Sequence, residues 1–264
     1  MKYLFDNLPE IKAQIEKAGG AALLFDFDGV LSAIAPTPED AIITDEYAGL
    51  LKKCAAKMPV AIITGRRMYD IKKKIDTKSV LYLAGHGLEW EEDGKDHVKE
   101  IPKETMEAIR LAEEKVKPLL ERYPGMILEN KSFTIAVHYR LMKPELAPVF
   151  IEEVESILRP FAKDHKLRLD HSIKTFELRP EVGWDKGDSV LFATEHFQER
   201  TGKNSAPIYI GDSQTDEDAF AALEKSGITI RINSSENENI KSAAKWYMKN
   251  QKEVGQFMKW LLAF

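Results

Sequence analysis

A chain of 264 residues is long enough for one large domain or for two small ones. Hydrophobic residues make up 44 % of the sequence and charged residues 31 %, a balance that fits a globular protein and excludes a disordered one. The formal net charge is −5 and no lysine- or arginine-rich arm is present, so nucleic acid and membranes are not expected as partners.

The first residues and the single cysteine bear on where such a protein works. Residues 1–16 are charged and lack a long apolar stretch with a cleavage site, and the apolar run 21–25 is too short to span a bilayer. A cytoplasmic protein is therefore expected. Cys54 lies in an amphipathic helical pattern, which favours a small core residue over a nucleophile.

Short continuous apolar runs predict strands that are buried on both faces. They cover residues 21–25, 60–63, 80–83, 207–210 and 228–230. Helical patterns lie between them, at residues 44–58, 68–75, 188–201 and 215–225. Strands that alternate with helices predict an α/β fold, with a Rossmann-like parallel sheet covered by helices on both faces.

The middle of the chain has a different pattern. Residues 105–122 and 145–164 are charged amphipathic helical segments. Residues 126–140 alternate in the manner of a strand, and residues 167–178 resemble one or two further strands. Long helices combined with extended segments predict an α+β module rather than a continuation of the α/β pattern.

This change of pattern predicts two domains. Residues 1–102 and 183–264 form a discontinuous core in this interpretation, and residues 103–182 form an inserted cap that determines substrate specificity. No repeat, low-complexity stretch or long linker separates the two patterns.

Two aspartates follow the first predicted strand. Asp26 and Asp28 lie two positions apart, and Gly29 allows a sharp turn and a close approach to a ligand. Two carboxylates held near each other on an apolar strand need a cation or a proton to compensate them, and Mg²⁺ prefers such oxygen ligands. An ordinary acidic turn explains this motif equally well when it is considered alone.

Further polar candidates follow the second and third predicted strands. Thr64 offers a hydroxyl and Gly65 an accessible backbone N–H, both of which are donors for phosphate oxygens. A simple strand-to-helix turn is the commoner explanation of this pair considered alone. Arg66 could attract a substrate anion. His86, between two glycines, could line the cleft or could equally be a hydrogen-bonded structural histidine.

Acidic residues also follow the fourth predicted strand. Asp212 can supply another metal carboxylate, and Asp216 could orient the metal shell through bound water. Helix capping is the alternative, because Thr215 is a good N-cap residue and acids in a first turn complement the helix dipole. For Glu217 and Asp218 we favour that structural explanation, whereas Asp216 could serve both purposes.

Lys186 and the strand-end motifs point to one site. Lys186 precedes the helix predicted to begin near residue 188, and it can reach both a phosphoryl group and a carboxylate nucleophile. A solvated surface charge is the usual explanation of one lysine considered alone. The strong polar motifs, however, follow the C-terminal ends of predicted core strands, and in open parallel sheets that edge binds ligands.

Four motifs together resemble the haloacid dehalogenase superfamily of phosphotransferases. In the family's order they are Asp26-x-Asp28-Gly-Val30, Thr64, Lys186 and Gly211-Asp212-Ser213-x-x-Asp216. Finer details resemble the trehalose-6-phosphate phosphatase branch of that superfamily. They are Thr64-Gly65-Arg66, Gly85-His86-Gly87, Glu129-Asn130-Lys131-Ser132, Phe176-Glu177-Leu178-Arg179-Pro180 and Trp184-Asp185-Lys186-Gly187. Val30 and Ser213 depart from the residues common in the family, although neither removes a group that the chemistry requires.

The resemblance implies a Mg²⁺-dependent phosphatase that converts trehalose 6-phosphate to trehalose and phosphate. It implies Asp26 as the nucleophile that forms a phospho-aspartate, Asp28 as general acid and base, and Thr64 with Lys186 as ligands of the phosphoryl oxygens. The implied metal set is Asp26, Asp28, Asp212 and Asp216. The implied substrate set is Gly29, Gly65, Arg66, His86, Glu129, Lys131, Glu177 and Arg179.

The sugar ligands have a simpler alternative. Glu129, Lys131 and Glu177 lie on predicted strands and suit neighbouring sugar hydroxyls, but an exposed, salt-bridged sheet face would also explain them. His138 follows the same alternation and could simply face solvent.

Other functions stay open at this point. The nearest is a sugar phosphatase with the same type of cap that acts on sucrose phosphate or a glycosyl-glycerate phosphate. A less favoured one is an inactive sugar-phosphate sensor or a partner subunit of a synthase, and a functional link to a trehalose-6-phosphate synthase is compatible with either activity or its loss. A nicotinamide-dependent oxidoreductase is excluded, because the first strand is followed by acids rather than by Gly-x-Gly-x-x-Gly.

Overall fold

The structure is a computed structural model that describes residues 1–77, 79–92, 94–164, 166–172, 174–233 and 241–263. The chain divides into two compact units: a core unit of Met1–Val98 and Trp184–Phe264, and an inserted unit of Lys99–Gly183. That the inserted unit acts as a cap which determines substrate specificity stays a prediction.

The strands follow one another along the described chain as β1 (Lys2–Tyr3), β2 (Ala21–Phe25), β3 (Val60–Ile63), β4 (Leu81–Ala84), β5 (Glu89–Glu92), β6 (Lys95–Val98), β7 (Ile127–Asn130), β8 (Ile135–His138), β9 (Leu167–Ser172), β10 (Thr175–Pro180), β11 (Ala206–Gly211), β12 (Ile228–Ile232) and β13 (Trp246–Met248). The α-helices are α1 (Leu8–Ala18), α2 (Asp45–Ala55), α3 (Met68–Lys74), α4 (Lys103–Val116), α5 (Leu119–Arg122), α6 (Ala147–Asp164), α7 (Lys186–Thr201), α8 (Asp216–Ala222) and α9 (Lys252–Leu262). Within the described residues, no helix combines the length and the hydropathy that crossing a bilayer requires.

One large sheet organises the core unit. Its strand order is β1-β13-β12-β11-β2-β3-β4-β5-β6. In this order, all neighbouring strands between β1 and β4 pair in parallel. The pairs β4-β5 and β5-β6 are antiparallel. The predicted α/β fold with a parallel sheet is therefore confirmed. Because β2 lies between β11 and β3, the loops that follow these three strands meet at one edge of the sheet.

The central strands are buried because helices cover both faces of this sheet. Side chains alternate between two apolar clusters, so that Leu23 and Phe25 of β2 belong to one and Leu24 to the other. Residues of α1, α2 and α9 contribute to the first cluster, and residues of α7 and α8 to the second. Cys54 of α2 is fully buried, and this burial raises the pKa of its thiol to about 11. Its prediction as a core residue is confirmed.

Helix α7 begins two residues earlier than the sequence pattern predicts. Oδ1 of Asp185 accepts hydrogen bonds from the N–H groups of Gly187 (2.7 Å) and Asp188 (3.2 Å). Oδ2 of Asp188 accepts one from the N–H of Asp185 (3.0 Å) in return, which completes a capping box. Lys186 is therefore the first residue of the helix. The sequence pattern had predicted that it precedes the helix. Its side chain is held on a rigid first turn.

The inserted unit pairs a smaller sheet with two long helices. The sheet is antiparallel and has the order β7-β8-β10-β9. The single strand expected over residues 126–140 is two strands, since the chain turns back between Lys131 and Thr134, whose backbones are hydrogen-bonded (2.9 Å). The helix expected over residues 105–122 is likewise divided into α4 and α5 at Pro118, a residue that cannot donate a backbone hydrogen bond. Residue 173 of the predicted segment 167–178 lies outside the described residues.

Candidate active site

Asp26 lies directly after β2 and is almost completely buried. Its Oδ1 accepts a hydrogen bond from the N–H of Phe27 (2.7 Å), and its Oδ2 accepts one from Nζ of Lys186 (2.8 Å). Burial raises the pKa of Asp26 to about 7, although the charge of Lys186 opposes this shift. The carboxylate is thus held in one orientation, in a place where its negative charge favours a nearby cation.

Lys186 is buried between two carboxylates. Its Nζ donates to Oδ2 of Asp26 (2.8 Å) and to Oδ1 of Asp216 (2.7 Å), and only 2 % of the side chain is exposed. Burial alone would lower the pKa of Lys186, but the charges of Asp216 and Asp26 raise it. The ammonium group therefore stays protonated, and the alternative of a solvated surface lysine is wrong.

Asp216, the first residue of α8, organises the surrounding groups. It accepts five hydrogen bonds, from Nζ of Lys186, the hydroxyls of Tyr209 and Ser213, and the N–H groups of Asp212 and Ser213. Burial would raise the pKa of Asp216, but the charge of Lys186 and these hydrogen bonds lower it. A direct metal bond would compete with these donors, which favours the expected role of orienting a metal shell indirectly.

The turn before α8 differs from the expected capping arrangement. Thr215 occupies the N-cap position, but its backbone is helical and its side chain makes no capping hydrogen bond, so the expectation of a Thr215 cap is wrong. Its hydroxyl is instead bonded to that of Ser213 (3.0 Å). Ser213 also donates to Asp216 (2.7 Å), a contact that an aspartate at position 213 could not make with an ionised carboxylate.

Asp212 completes a cluster that could hold a metal ion. One carboxylate oxygen from each of Asp26, Asp212 and Asp216 lies within 4.8 Å of the others. Burial and the neighbouring charges of Asp216 and Asp26 raise the pKa of Asp212 well above its usual range. Gly29 has a φ of +73°, and a Cβ added there would overlap the Asp212 carboxylate. Crowded oxygen donors of this kind fit a small divalent cation.

Asp28 points its carboxylate at an arginine and is not part of this cluster. Oδ1 of Asp28 accepts from Nη2 of Arg66 (2.8 Å), and Oδ2 accepts from Nε (2.8 Å). Arg66 also donates to Oδ2 of Asp70 (2.5 Å) and to the carbonyl oxygen of Pro38 (2.8 Å). The charge of Arg66 is thus matched by two carboxylates, and its expected attraction of a substrate anion stays a prediction.

The ends of β3 and β4 bring Thr64, Gly65 and His86 together. The buried Thr64 hydroxyl accepts from the N–H of Arg66 (3.2 Å), and the carbonyl oxygen of Thr64 accepts from the N–H of His86 (2.8 Å). A Cβ added at Gly65 would lie 2.6 Å from Nε2 of His86, so the imidazole packs directly against this glycine. His86 is buried with a φ of +59°, and its expected place in a substrate cleft stays a prediction.

Two residues that contact the group of Asp26, Asp212 and Asp216 were not predicted from the sequence, namely Arg231 and Tyr209. Arg231 is the charged residue of the fully buried strand β12, and a charge at that position was the available signal. It pairs with Glu217 and donates to the carbonyl oxygen of Asp212 (3.3 Å). Glu217 also accepts from the N–H of Ala243 (2.7 Å), which agrees with its expected structural role. Tyr209 gave no such signal, because tyrosine is common in buried strands.

A separate polar cluster lies on the sheet of the inserted unit. Glu129 of β7 and Glu177 of β10 both pair with Ala136 of β8, so the two acids lie on the same face on either side of a small residue. Nζ of Lys131 contacts Oε1 of Glu177 (3.0 Å) and Oε2 of Glu129 (3.9 Å). Nε2 of His138 is hydrogen-bonded to Oε2 of Glu129 (3.0 Å), so a purely solvent-facing His138 is wrong.

The same face carries Arg179. This arginine is almost completely buried, and its Nε donates to Oδ2 of Asp170 (2.7 Å). Asp170, which pairs with Glu177 across β9 and β10, also accepts from Nε of Arg168 (2.7 Å). Asp170 and His138 were missed as members of the cluster because their partners depend on strand register.

The fold places the chain in a broad class. It matches a haloacid dehalogenase-like hydrolase from Bacteroides thetaiotaomicron with a TM-score of 0.61, 16 % identity, and coverage of 91 % of this chain and 99 % of the other. The C-terminal domain of C. albicans trehalose-6-phosphate phosphatase gives a TM-score of 0.86 at 22 % identity, covering 98 % of this chain and 97 % of that one. The chain thus has the fold of the haloacid dehalogenase-like hydrolases.

The sequence then identifies the family within that class. Residues 24–252 match the model of the trehalose-phosphatase family, and the chain belongs to this family. Trehalose-phosphate phosphatase of Mycobacterium marinum is 31 % identical to it over 237 residues, which are 89 % of this chain. The chain spans 60 % of the length of that relative.

Replacing Gly29 by alanine tests whether this glycine makes room for Asp212 in a metal site. We expect MgCl₂ to raise the Tm of the wild-type protein, and we expect Gly29→Ala to lose this rise, because a Cβ would displace the Asp212 carboxylate. Gly202→Ala is the matched control, since Gly202 has a φ of +63° and no atom within 4 Å of an added Cβ. It carries only the backbone cost, about 1–2 kcal/mol. A full Mg²⁺-dependent rise in Gly29→Ala would contradict this role.

Replacing Lys186 by methionine tests the buried ion pairs. In EDTA, we expect Lys186→Met to lower the free energy of unfolding by about 3–5 kcal/mol, because Asp26 and Asp216 lose their buried cation. Urea denaturation measures this change. Lys72→Met removes a lysine that is 33 % exposed and pairs with Glu91 and Asp96, so about 0–1 kcal/mol is expected for it. Equal losses in both variants would show that the Lys186 pairs contribute little.

Proposed function

We propose that this chain is a Mg²⁺-dependent phosphatase that hydrolyses trehalose 6-phosphate to trehalose and phosphate through a phospho-aspartate. The observation that carries the proposal is the buried contact of Asp26 with the ammonium of Lys186, beside the carboxylate of Asp212. Membership of the trehalose-phosphatase family and a relative named trehalose-phosphate phosphatase support this substrate.

The acidic cluster supports Mg²⁺ as the cofactor. The ion would be held by the carboxylates of Asp26 and Asp212 and by the backbone carbonyl of Asp28. Asp216 would orient these ligands indirectly, because it accepts hydrogen bonds from the N–H of Asp212 and the hydroxyl of Ser213. The bound ion would offset the repulsion between an anionic nucleophile and an anionic phosphate.

Asp26 and Asp28 would have separate roles in the first step of the reaction, the transfer of the phosphoryl group to Asp26. A carboxylate oxygen of Asp26 attacks phosphorus, and the bond between phosphorus and the sugar oxygen breaks. Asp28 donates a proton to that leaving oxygen, which releases trehalose. In the second step Asp28 takes a proton from water, the water oxygen attacks the phosphorus of the phospho-aspartate, and phosphate leaves with Asp26 restored.

Thr64 and Lys186 would bind the transferring phosphoryl group. The ammonium of Lys186 lies beside Asp26. Thr64, which carries the hydroxyl, directly follows β3, the strand next to β2. Both are donors fixed in place before the reaction, and donors of this kind stabilise the charge that spreads over the phosphoryl oxygens in the transition state.

The inserted unit would supply the selection of sugars. Glu129, Lys131 and Glu177 present two carboxylates and an ammonium on one sheet face, and His138 holds Glu129 in place. Sugar hydroxyls can both donate to the acids and accept from the lysine. Such a site rejects sugars that leave its polar groups unpaired.

A partner activity and a cellular location follow from this chemistry. A phosphatase of this specificity acts on the product of a trehalose-6-phosphate synthase, so we propose a functional link between the two activities. A cytoplasmic location would bring the chain together with phosphorylated sugars.

A phosphate-release panel tests the substrate. We expect trehalose 6-phosphate to be hydrolysed with a higher kcat/KM than sucrose phosphate and glycosyl-glycerate phosphates, and only when MgCl₂ is present. A higher kcat/KM on another sugar phosphate would reassign the substrate. Binding without metal-dependent turnover would favour an inactive sensor.

The same assay tests the nucleophile. We expect Asp26→Asn to reduce turnover by more than about 1000-fold, because the amide cannot form the acyl phosphate. Circular dichroism would verify that the variant is folded. Wild-type turnover in a folded Asp26→Asn protein would rule out the phospho-aspartate route.

A further inference from the structure

The proposed general acid is held from one side by an arginine. The Asp28 side chain is 46 % exposed, whereas that of Arg66 is 5 % exposed. Two parallel hydrogen bonds of 2.8 Å join the guanidinium to both oxygens of the Asp28 carboxylate. This bidentate contact defines the plane of the carboxylate as well as its distance. A partly exposed acid therefore depends on a buried cation for its orientation.

Arg66 is in turn held by three further contacts. Its Nη1 donates to Oδ2 of Asp70 on α3 (2.5 Å), and its Nη2 donates to the carbonyl oxygen of Pro38 (2.8 Å). Its guanidinium carbon lies 5.2 Å from the centre of the Phe27 ring, within the range of a cation–π contact. Among these three contacts, that with Asp70 is the one made by an ionised side chain.

We propose that Asp70 is a positioning residue for Asp28 and acts through Arg66. The proposal rests on the proposed function, in which Asp28 protonates the leaving oxygen. Without the Asp70 carboxylate, the guanidinium loses one of its two charged partners and can rotate with Asp28. A proton donor then spends less time in line with the leaving oxygen, and small misplacements of this kind have large effects on rate.

The leaving group distinguishes positioning of an acid from a structural effect. A sugar alkoxide needs a proton as it departs, so its release depends on Asp28. The p-nitrophenolate ion departs without one. A variant that only loosens the fold slows the release of both leaving groups, whereas a variant that misplaces Asp28 slows the sugar alone.

The test is a single-turnover measurement with Mg²⁺ and excess enzyme. Its two substrates are p-nitrophenyl phosphate and the sugar phosphate that the wild-type protein hydrolyses fastest. We expect Asp70→Asn to slow release of the sugar by about 10- to 100-fold and release of p-nitrophenol by less than about threefold. The steady-state KM for the sugar phosphate should change by less than about twofold, because Asp70 is not a substrate ligand in this account.

Asp96→Asn is the matched control. Asp96 pairs with Lys72 of the same helix α3 (2.7 Å), so its replacement also removes one ion pair from that helix without touching Arg66. Both leaving groups should depart at wild-type rates from this variant. Equal slowing of both substrates by Asp70→Asn, or the same loss in Asp96→Asn, would overturn the proposal.

A double-mutant cycle tests the route through Arg66. Arg66→Lys keeps the charge but removes the bidentate contact. If Asp70 acts through Arg66, adding Asp70→Asn to Arg66→Lys slows sugar release little further, whereas independent effects multiply. Multiplied losses would overturn the proposal, and if Arg66→Lys does not fold, the leaving-group comparison in Asp70→Asn decides alone. A wild-type protein inactive on both substrates would refute the proposed function instead.

Discussion

The ammonium group of Lys186, buried between the carboxylates of Asp26 and Asp216, is the interaction on which the rest of the site depends. Two ionised carboxylates could not stay this close away from water without a cation between them. Asp26 follows β2, Lys186 begins α7 and Asp216 begins α8, so this one charge links three segments that are distant in sequence. The contact holds the carboxylate of Asp26 beside those of Asp212 and Asp216.

The edge of the sheet that carries the site could be predicted from the sequence. Strands buried on both faces give unbroken apolar runs, and Asp26, Thr64 and Asp212 each follow such a run. The hairpin of β5 and β6 could not be predicted, because its charged side chains show neither an apolar run nor clear alternation. The start of α7 was misplaced because Asp185 acts as its N-cap, a role that the hydrophobic pattern does not reveal.

The partners of several site residues could not be predicted from the sequence, because they depend on the pairing of strands that are distant in the chain. The sequence did not reveal that Arg66 pairs with Asp28, which is 38 positions away and is reached because β2 and β3 are neighbours. Glu129 and Glu177 are neighbours because both pair with Ala136, a register that depends on the turn after Lys131. The sequence motifs identify which side chains form the candidate site. The orientation of those side chains depends on hydrogen-bond partners that come together only in the folded sheet.

A crystal structure in the presence of Mn²⁺ would test the central claim most directly. Mn²⁺ prefers the same hard oxygen ligands as Mg²⁺, and its anomalous scattering identifies it. The account predicts one ion within about 2.0–2.3 Å of carboxylate oxygens of both Asp26 and Asp212. An ion bound elsewhere, or one that touches only one of these two carboxylates, would contradict it.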